Sequence, residues 1–268
     1  MTAQTISLSP ADLSLSAALV VALALFSYRL DLGVAGQLIV AAVRTTLQLF
    51  LVGLVLKVVF TSVHPLWIGA MALVMLSAAA RETMVRQKRC FSGWWGFGMG
   101  AGPMFISSFA ITTFSLAAVI GVHPWYTPQY AIPLLGMMLG NTMTGIALGL
   151  DRLTESAWER RGTVEAQLML GHTWSQSIAA IRRASARSAM IPTINSMAAA
   201  GIVSLPGMMT GQILAGNPPL EAVKYQILIM FIISAGSGFG ALIAIWIGSR
   251  RLFDERHRLR LDRLHVRS

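Results

Sequence analysis

The stretch CFSGWWGFGMGAGPMFISSFAITTFSLAAVIGVHPWYTPQYAIPLLGMMLGNTMTGIALGL, residues 90–150, contains no aspartate, glutamate, lysine or arginine. A helix that crosses a bilayer needs roughly 20 mostly apolar residues. The stretch is therefore long enough for two crossings and the turn between them. That turn is predicted at residues 121–128, where two prolines end the helices and a tryptophan and a tyrosine suit the membrane interface.

The composition of the remaining chain also indicates a membrane protein. The 268 residues are 55% hydrophobic and only 12% charged, with a mean hydropathy of +0.64, whereas soluble domains carry about 25% charged residues. We therefore predict an all-α, polytopic bundle of about seven transmembrane helices. The predicted spans cover residues 12–28, 34–57, 65–81, 97–121, 129–150, 190–214 and 225–249.

The cysteine count and the first residues narrow the class further. The chain has one cysteine, Cys90, which excludes an internal disulfide framework and a cysteine-cluster metal site. Residues 1–11 lack the positive flank of a cleavable signal peptide, so the first apolar run is expected to remain as a span.

The distribution of lysine and arginine predicts the orientation. The turn at Arg29, loop 81–96, loop 151–189 and tail 250–268 hold one, four, six and seven of these residues, against only Lys57 and Lys224 on the other side. Because positive loops face the cytoplasm, the N-terminus is predicted outside and the C-terminus in the cytoplasm. The net charge of +10 is then a topology signal rather than a sign of nucleic-acid binding. The tail is interpreted as solvated, with contact to anionic lipid as the alternative.

Loop 151–189 is the long charged segment between the apolar runs. It contains Glu165 and Ala166, which favour a short helix, followed by Gly171, which permits a turn. Around the turn, Leu170, Trp174, Ile178 and Ile181 fall at helical spacing and form an apolar stripe. Such a helix can insert into a groove on a partner protein or lie on the lipid surface.

Two similar blocks flank this loop. Gly136–Asn141 and Gly207–Gln212 share the order Gly-Met-Met-x-Gly followed by an amide residue. Glycine-interrupted repeats are typical of transport pathways, although glycines four residues apart also let helices pack closely. The candidate pathway residues in the blocks are Met137, Met138, Asn141, Met208, Met209 and Gln212. Their methionines either offer soft thioether ligands or act as flexible packing, so the metal ligands stay unknown.

Arg44 is a charged residue inside the second predicted span. A mid-span charge costs about 2.5–3.5 kcal/mol, so Arg44 should face a cavity or a partner, or extend to the headgroups. Gln48 lies four residues on and shares its face. The pair is a candidate cytoplasmic entrance to the pathway.

The order of these features resembles the FetB/YbbM permease family, the membrane half of a two-component ABC exporter linked to metal homeostasis. The loop 151–189 in turn is similar to the coupling loop of ABC permeases. The family resemblance extends over nearly the whole chain. Its specific pieces are Arg44–Leu49, Val52–Lys57, Gly136–Asn141, Ile191–Thr193, Gly201–Gly211 and Lys224–Ile227.

The resemblance implies which role this chain has among the subunits of a larger complex. Residues 1–249 are then the permease domain, with coupling loop 151–189, and residues 250–268 are a basic cytoplasmic tail. The chain has no Gly-x-x-x-x-Gly-Lys-Ser/Thr phosphate loop, so it is expected to bind no cofactor and not to be an enzyme by itself. ATP would be used by a separate ABC ATPase subunit, in a complex of two permeases and two ATPases.

The expected function is export of iron or another metal across the cell inner membrane. The residues leave three alternatives open: an ion-coupled secondary carrier, a permease for an organic, nucleotide-sugar-like substrate, and a membrane partner that transports nothing. The absence of carboxylates from the centres of the predicted spans disfavours the ion-coupled carrier, since proton relays commonly use them.

Overall fold

The computed structural model describes residues 9–61 and 64–266, and it is almost entirely helical. This confirms the predicted all-α class. Six of the helices in the described residues, α1–α5 and α10, are long and apolar enough to cross a membrane. The helices are α1 Pro10–Arg29, α2 Ala35–Thr61, α3 Pro65–Val85, α4 Trp94–Ile120, α5 Pro128–Glu159, α6 Arg161–Met169, α7 Trp174–Ser177, α8 Ala179–Ala199, α9 Gly207–Leu214 and α10 Pro219–Arg251.

Local sequence signals explain where several helices begin. The hydroxyl of Ser9 accepts a hydrogen bond from the Asp12 amide at 3.3 Å, while the Asp12 carboxylate accepts one from the Ser9 amide at 2.8 Å. This reciprocal capping box satisfies two amides that a helix start would leave unpaired. Helices α1, α3, α5 and α10 each have proline in the first turn, where its missing N–H is not needed.

The centre of the molecule is the packing of α5 against α10, with α8 and α4 alongside. Glycine permits this close approach. A Cβ added at Gly240 would lie 2.6 Å from the hydroxyl of Ser107 and 2.6 Å from the methyl group of Thr142. Helices α4, α5 and α10 therefore meet at a seam of small residues, as is common in membrane bundles.

Helices α1 and α2 form a peripheral hairpin. Their long apolar side chains are exposed on most sides, and none of the apolar window of α2 is buried. Close to the far end of α2, Val59 packs with Ile68 of α3 and Ile132 of α5. The exposed apolar faces match hydrocarbon rather than water.

The predicted sixth span, residues 190–214, is not one continuous helix. Helix α8 ends at Ala199, and α9 begins at Gly207 after a turn. Gly201 adopts a φ of +85°, which interrupts the helix, and Pro206 precedes α9 with an extended backbone. Ala189 of α8 lies beside Gly149 near the carboxyl end of α5, whereas α9 lies near the amino ends of α5 and α10. The chain therefore passes along the bundle in two helical pieces.

The tail is folded back rather than solvated, which corrects the preferred interpretation of the sequence. Strand β1 (Arg89–Phe91) pairs antiparallel with β2 (Leu264–Val266), and a 3-10 turn, Leu261–Arg263, precedes β2. Leu252 and Phe253 are buried in the main core. The tail carries enough apolar side chains among its arginines to pack against the bundle, and this burial outweighs solvation of the segment.

Candidate functional site

A small cavity of about 190 Å³ lies between α5, α8, α9 and α10. Its wall combines amide and hydroxyl groups with thioethers, and none of its lining residues is charged. The polar lining residues are Asn141, Thr193, Ser196, Gln226 and Ser234, and the thioethers belong to Met137, Met208 and Met230.

Gln226 is the most informative residue of the small cavity. Its side chain is only 8% exposed, and its amide oxygen Oε1 has no hydrogen-bond partner within the described residues. A buried acceptor in this state costs about 1–3 kcal/mol. The cavity exceeds the roughly 30 Å³ that one water occupies, so a hydrated solute can supply the missing donor.

A wide cavity of about 410 Å³ adjoins the small one. The two share Met137 of α5, Met208 of α9 and Ile229 of α10, whose side chains therefore lie at the junction. The wide cavity also has one acidic residue, Glu221, whose carboxylate lies 2.7 Å from the ammonium of Lys224. Its further polar and aromatic lining residues include Gln129, Tyr130, Gln212, Asn217 and Tyr225.

The structure brings together part of the two Gly-Met-Met blocks. Met137 and Met208, the first methionine of each block, line both cavities. Asn141 lines the small cavity and Gln212 the wide one. The second methionines, Met138 and Met209, line neither cavity. Met138 is fully buried, and its methyl group fills the space above Gly236 of α10.

Two polar groups of the small cavity already have partners. The side-chain amide of Asn141 donates to the Met137 carbonyl at 2.8 Å. The hydroxyl of Ser234 donates to the Met230 carbonyl at 2.6 Å and lies 3.0 Å from the sulfur of Met197. These bonds hold the lining in place, and the Gln226 oxygen is the acceptor that they leave unused.

Arg44 and Gln48 lie away from both cavities. They are exposed on α2, and the Arg44 guanidinium lies 3.4 Å from the Glu82 carboxylate of α3. Glu82 also pairs with Arg86 at 3.8 Å. Sequence reasoning found Arg44 but not its partner, because residues 38 positions apart give no local signal of contact. The proposed entrance role of Arg44 and Gln48 has no support in the cavity geometry.

The side chains that line the small cavity determine which metal ions it can coordinate. Iron prefers carboxylate or imidazole ligands, and thioethers prefer softer ions. The described residues contain no group of three or more His, Cys, Asp or Glu side chains that could hold a metal ion. The neutral amides and hydroxyls suit weak contacts to a hydrated or chelated ion rather than direct coordination.

Helices α6 and α7 form a short hairpin, residues 161–177, at the end of the bundle where α5 finishes. Gly171 takes a φ of +89° at the turn, a conformation that favours glycine. Thr173 then caps α7 through a second capping box with Gln176. The predicted helix–turn–helix is therefore present. Glu165 and Ala166 are exposed on α6.

The predicted apolar stripe does not form one exposed face. Ile178 and Ile181 are 0% and 4% exposed and belong to the main core. Trp174 is half-buried, with its ring 6.0 Å from Phe253 and the Arg250 guanidinium 5.2 Å above it. The stripe anchors the hairpin because the folded-back tail covers it. The exposed apolar residues are Met169 (83%) and Leu170 (79%) at the turn.

The hairpin is continuous with the walls of the small cavity. Helix α5 carries Met137 and Asn141, and only Arg160 separates its end from α6. Helix α8 follows α7 after Ile178 and carries Thr193 and Ser196. A displacement of the hairpin therefore acts on two of the helices that line the cavity.

The tail next to the hairpin contains tightly paired charges. The Arg260 guanidinium donates to both oxygens of Asp262 at 2.8 Å. This bidentate pair lowers the pKa of Asp262 to about 2 and raises the pKa of Arg260. The amides of Arg258 and Arg256 donate to Asp254, which lowers the pKa of that carboxyl.

Together, the apolar helices, the polar internal cavity and the exposed hairpin define a polytopic membrane protein of the permease type. The chain belongs to the Uncharacterised protein family UPF0014, whose family model matches residues 10–253. No solved structure matches the chain.

Curated relatives cover most of the chain. UPF0014 membrane protein slr1647 of Synechocystis is 39% identical over 89% of this chain and 91% of its own length. UPF0014 membrane protein YjkA of Bacillus subtilis is 36% identical over 86% of this chain and 91% of its own length. The probable iron export permease protein FetB of Escherichia coli is 31% identical over 94% and 95%.

Sequence reasoning missed Thr193 and Gln226 as cavity residues, although both lie in the blocks Ile191–Thr193 and Lys224–Ile227 that carry the family resemblance. Ser196 and Ser234 had no such signal, since serine is common in membrane helices. Their shared position becomes visible only when α8 and α10 pack side by side.

Proposed function

We propose that this chain is the permease subunit of an ATP-driven exporter in the cell inner membrane. Two copies work with two copies of a separate ABC ATPase, which binds the ATP. The proposed cargo is a metal ion in hydrated or chelated form, with iron as the first candidate. The name of the relative FetB, a probable iron export permease, supports this choice.

The observation that carries the ATPase partnership is the exposed pair Met169 and Leu170. Both lie on the side that the positive residues predict to be cytoplasmic, yet they are 83% and 79% exposed. Burying one such side chain contributes about 1.5–3 kcal/mol. Exposed apolar side chains at the tip of a rigid, doubly anchored hairpin are typical of an interaction surface.

The connection from hairpin to cavity supplies a mechanism. Closure of the ATPases around ATP displaces the hairpin, which is anchored by Ile178 in the core. The displacement passes into α8, and so moves Thr193 relative to Asn141 on α5 and Gln226 on α10. Access at the junction of Met137 and Met208 then changes from one side of the membrane to the other.

A double substitution tests the coupling surface. Met169→Ser with Leu170→Ser removes the exposed apolar pair without touching the core. We expect the ATPase that co-purifies with the wild-type chain in mild detergent to be lost, together with the stimulation of its activity. The control is Leu30→Ser with Leu32→Ser, an apolar pair on the same predicted side that is 54% and 58% exposed. A folded double variant that stimulates the ATPase as the wild type does would refute the coupling surface.

The cargo requires a separate measurement. Inverted membrane vesicles that contain the chain and its ATPase should accumulate ferrous iron when ATP is added, and other metals serve as comparisons. Uptake driven by a proton gradient without ATPase would identify an ion-coupled carrier instead.

The neutral, hydrogen-bonding lining of the small cavity favours a second candidate cargo, an uncharged or chelating organic solute. Competition between such solutes and iron for ATP-driven uptake distinguishes the two cargoes. If neither solute class nor any metal is transported by vesicles with active ATPase, the permease proposal is refuted.

A further inference from the structure

A basic pocket of about 710 Å³ opens where α10 ends and the tail begins. Six arginines and two acidic residues line it. Two of the arginines form ion pairs, Arg260 with Asp262 and Arg258 with Asp254. Arg263 donates hydrogen bonds to the backbone carbonyls of Arg251 and Phe253. The arginines are Arg250, Arg251, Arg256, Arg258, Arg260 and Arg263.

Four of these guanidinium groups, those of Arg250, Arg251, Arg256 and Arg263, have no acidic partner among the described residues. Arg251 lies over the ring of Trp95, 4.4 Å from its centre, and the side chain of Arg256 is exposed and makes no hydrogen bond or ion pair there. A concentration of positive charge that the fold does not neutralise attracts an anionic ligand.

An apolar groove of about 710 Å³ lies beside the pocket, between α8 and α10. Leu242, Ile243 and Ile245 form its floor, and Ala186 of α8 forms its wall. Arg182 and Arg183 stand at its end, where α8 begins. This groove is apolar along its length and basic at one end.

The pocket and the groove share Trp246 and Ile247 of α10. Trp246 and Trp95 are more than half exposed, as tryptophan is at the interface between headgroups and hydrocarbon. The shared wall makes one continuous surface, with guanidinium groups at the predicted cytoplasmic end and hydrocarbon side chains toward the membrane centre.

We infer that this surface is a binding site for one anionic phospholipid. The phosphate lies among Arg251, Arg256 and Arg183, and an acyl chain lies in the groove along Trp246. A ligand with one anionic and one long apolar end matches both halves, whereas free phosphate matches the pocket alone. Basic pockets next to membrane helices on the cytoplasmic side bind such headgroups.

The site touches the hairpin, residues 161–177, through Arg250, Phe253 and Arg182. Arg250 lines the basic pocket and lies over Trp174 of α7. The lipid therefore helps to hold the end of α10 against the hairpin, a role that does not depend on the cargo.

The full chain in nanodiscs of equal phosphatidylglycerol and phosphatidylcholine tests the inference. After the protein is ejected from the nanodisc, native mass spectrometry measures the ratio of phosphatidylglycerol to phosphatidylcholine that stays bound. Each basic contact near an anionic surface contributes about fivefold, so the three arginines contribute on the order of 100-fold in favour of phosphatidylglycerol. Excess inorganic phosphate should leave the ratio unchanged.

The double variant Arg183→Gln with Arg256→Gln should lower the ratio about 25-fold and leave only the preference of about fivefold that Arg251 contributes. Neither side chain has a partner in the described chain, so the fold should survive. Arg81→Gln with Arg152→Gln removes the same charge from the same predicted side, outside the site, and should keep the preference. Ala186→Trp fills the groove and should release phosphatidylglycerol while the arginines remain.

Several results would overturn the inference. Equal retention of both lipids by the wild type, or an equal loss in the two arginine variants, means that the surface has no specific lipid site. Displacement by inorganic phosphate assigns the pocket to a free anion. Loss of ATPase binding with unchanged lipid retention in Arg183→Gln/Arg256→Gln assigns the arginines to a protein contact.

Discussion

Replacing Gln226 with methionine should make the protein more stable and less active at once. The side chain is 8% exposed, and its Oε1 atom accepts no hydrogen bond within the described residues. A buried acceptor without a donor costs about 1–3 kcal/mol, and an apolar side chain of the same length avoids that cost. We therefore expect Gln226→Met to raise the thermal unfolding midpoint in detergent, followed by tryptophan fluorescence.

For Gln87, a second buried glutamine, we expect the same substitution to lower the unfolding midpoint. Gln87 is 4% exposed, and its side-chain amide donates to the Thr83 carbonyl at 3.0 Å. Gln87→Met removes a bond that is made, and should lower the free energy of unfolding by about 0.5–1.5 kcal/mol. The same chemical change thus shifts the midpoint in opposite directions at the two positions.

Transport supplies the second half of the test. ATP-driven uptake into inverted vesicles should fall at least tenfold in Gln226→Met if the amide contacts the cargo, since about 1.4 kcal/mol corresponds to a factor of ten. The control Gln87→Met should transport normally where it is folded. A lowered midpoint in Gln226→Met, or uptake equal to the wild type, would refute the assignment of Gln226 as the cargo-facing acceptor.

Three further predictions, the first with a matched control, follow from the geometry. Gly240→Ala places a Cβ 2.6 Å from one atom each of Ser107 and Thr142, and should lower the free energy of unfolding by about 1–3 kcal/mol. The control is Gly53→Ala, where the added Cβ has nothing within 4 Å and should be neutral or stabilising in the same thermal assay. Gly171→Ala has space but a φ of +89°, so a loss of about 1–2 kcal/mol is expected from backbone strain, with weaker ATPase stimulation. Asp262→Asn should expose the tail to limited proteolysis near neutral pH. Because folding lowers the pKa of Asp262 from 3.8 to about 2, the difference from wild type should persist above pH 4 and vanish as the pH falls toward 2.

The sequence predicted the fold class and most of the spans because hydrocarbon imposes a length and a composition on each helix. It failed at residues 200–206. The apolar pattern continues through this turn, so the only local signals were Gly201 and Pro206. Both residue types also occur inside membrane helices, where neighbouring helices satisfy the freed backbone groups.

The candidate site was only partly predictable, because contacts between distant segments leave no local signal in the sequence. The repeat pointed to Met137 and Met208, and the structure places both at one junction. Helical periodicity does not say which face of α7 and α8 the tail covers, so the stripe that ends at Ile181 predicts a surface for a partner protein or for lipid. Burial by a segment some 70 residues later is a tertiary effect that spacing within one helix does not record.

The break between α8 and α9 explains how one hairpin can change access to a cavity in an otherwise close-packed bundle. The seam at Gly240 locks α5 to α10, and interiors packed in this way do not deform gradually. Helix α9 has no buried residue, so moving it disrupts little packing. The turn at residues 200–206 separates α9 from α8 and can absorb a change in backbone angles. We therefore expect the mobile wall of the cavity to be α9 with the end of α8 that leads to it, and Met208 to move against a fixed Met137.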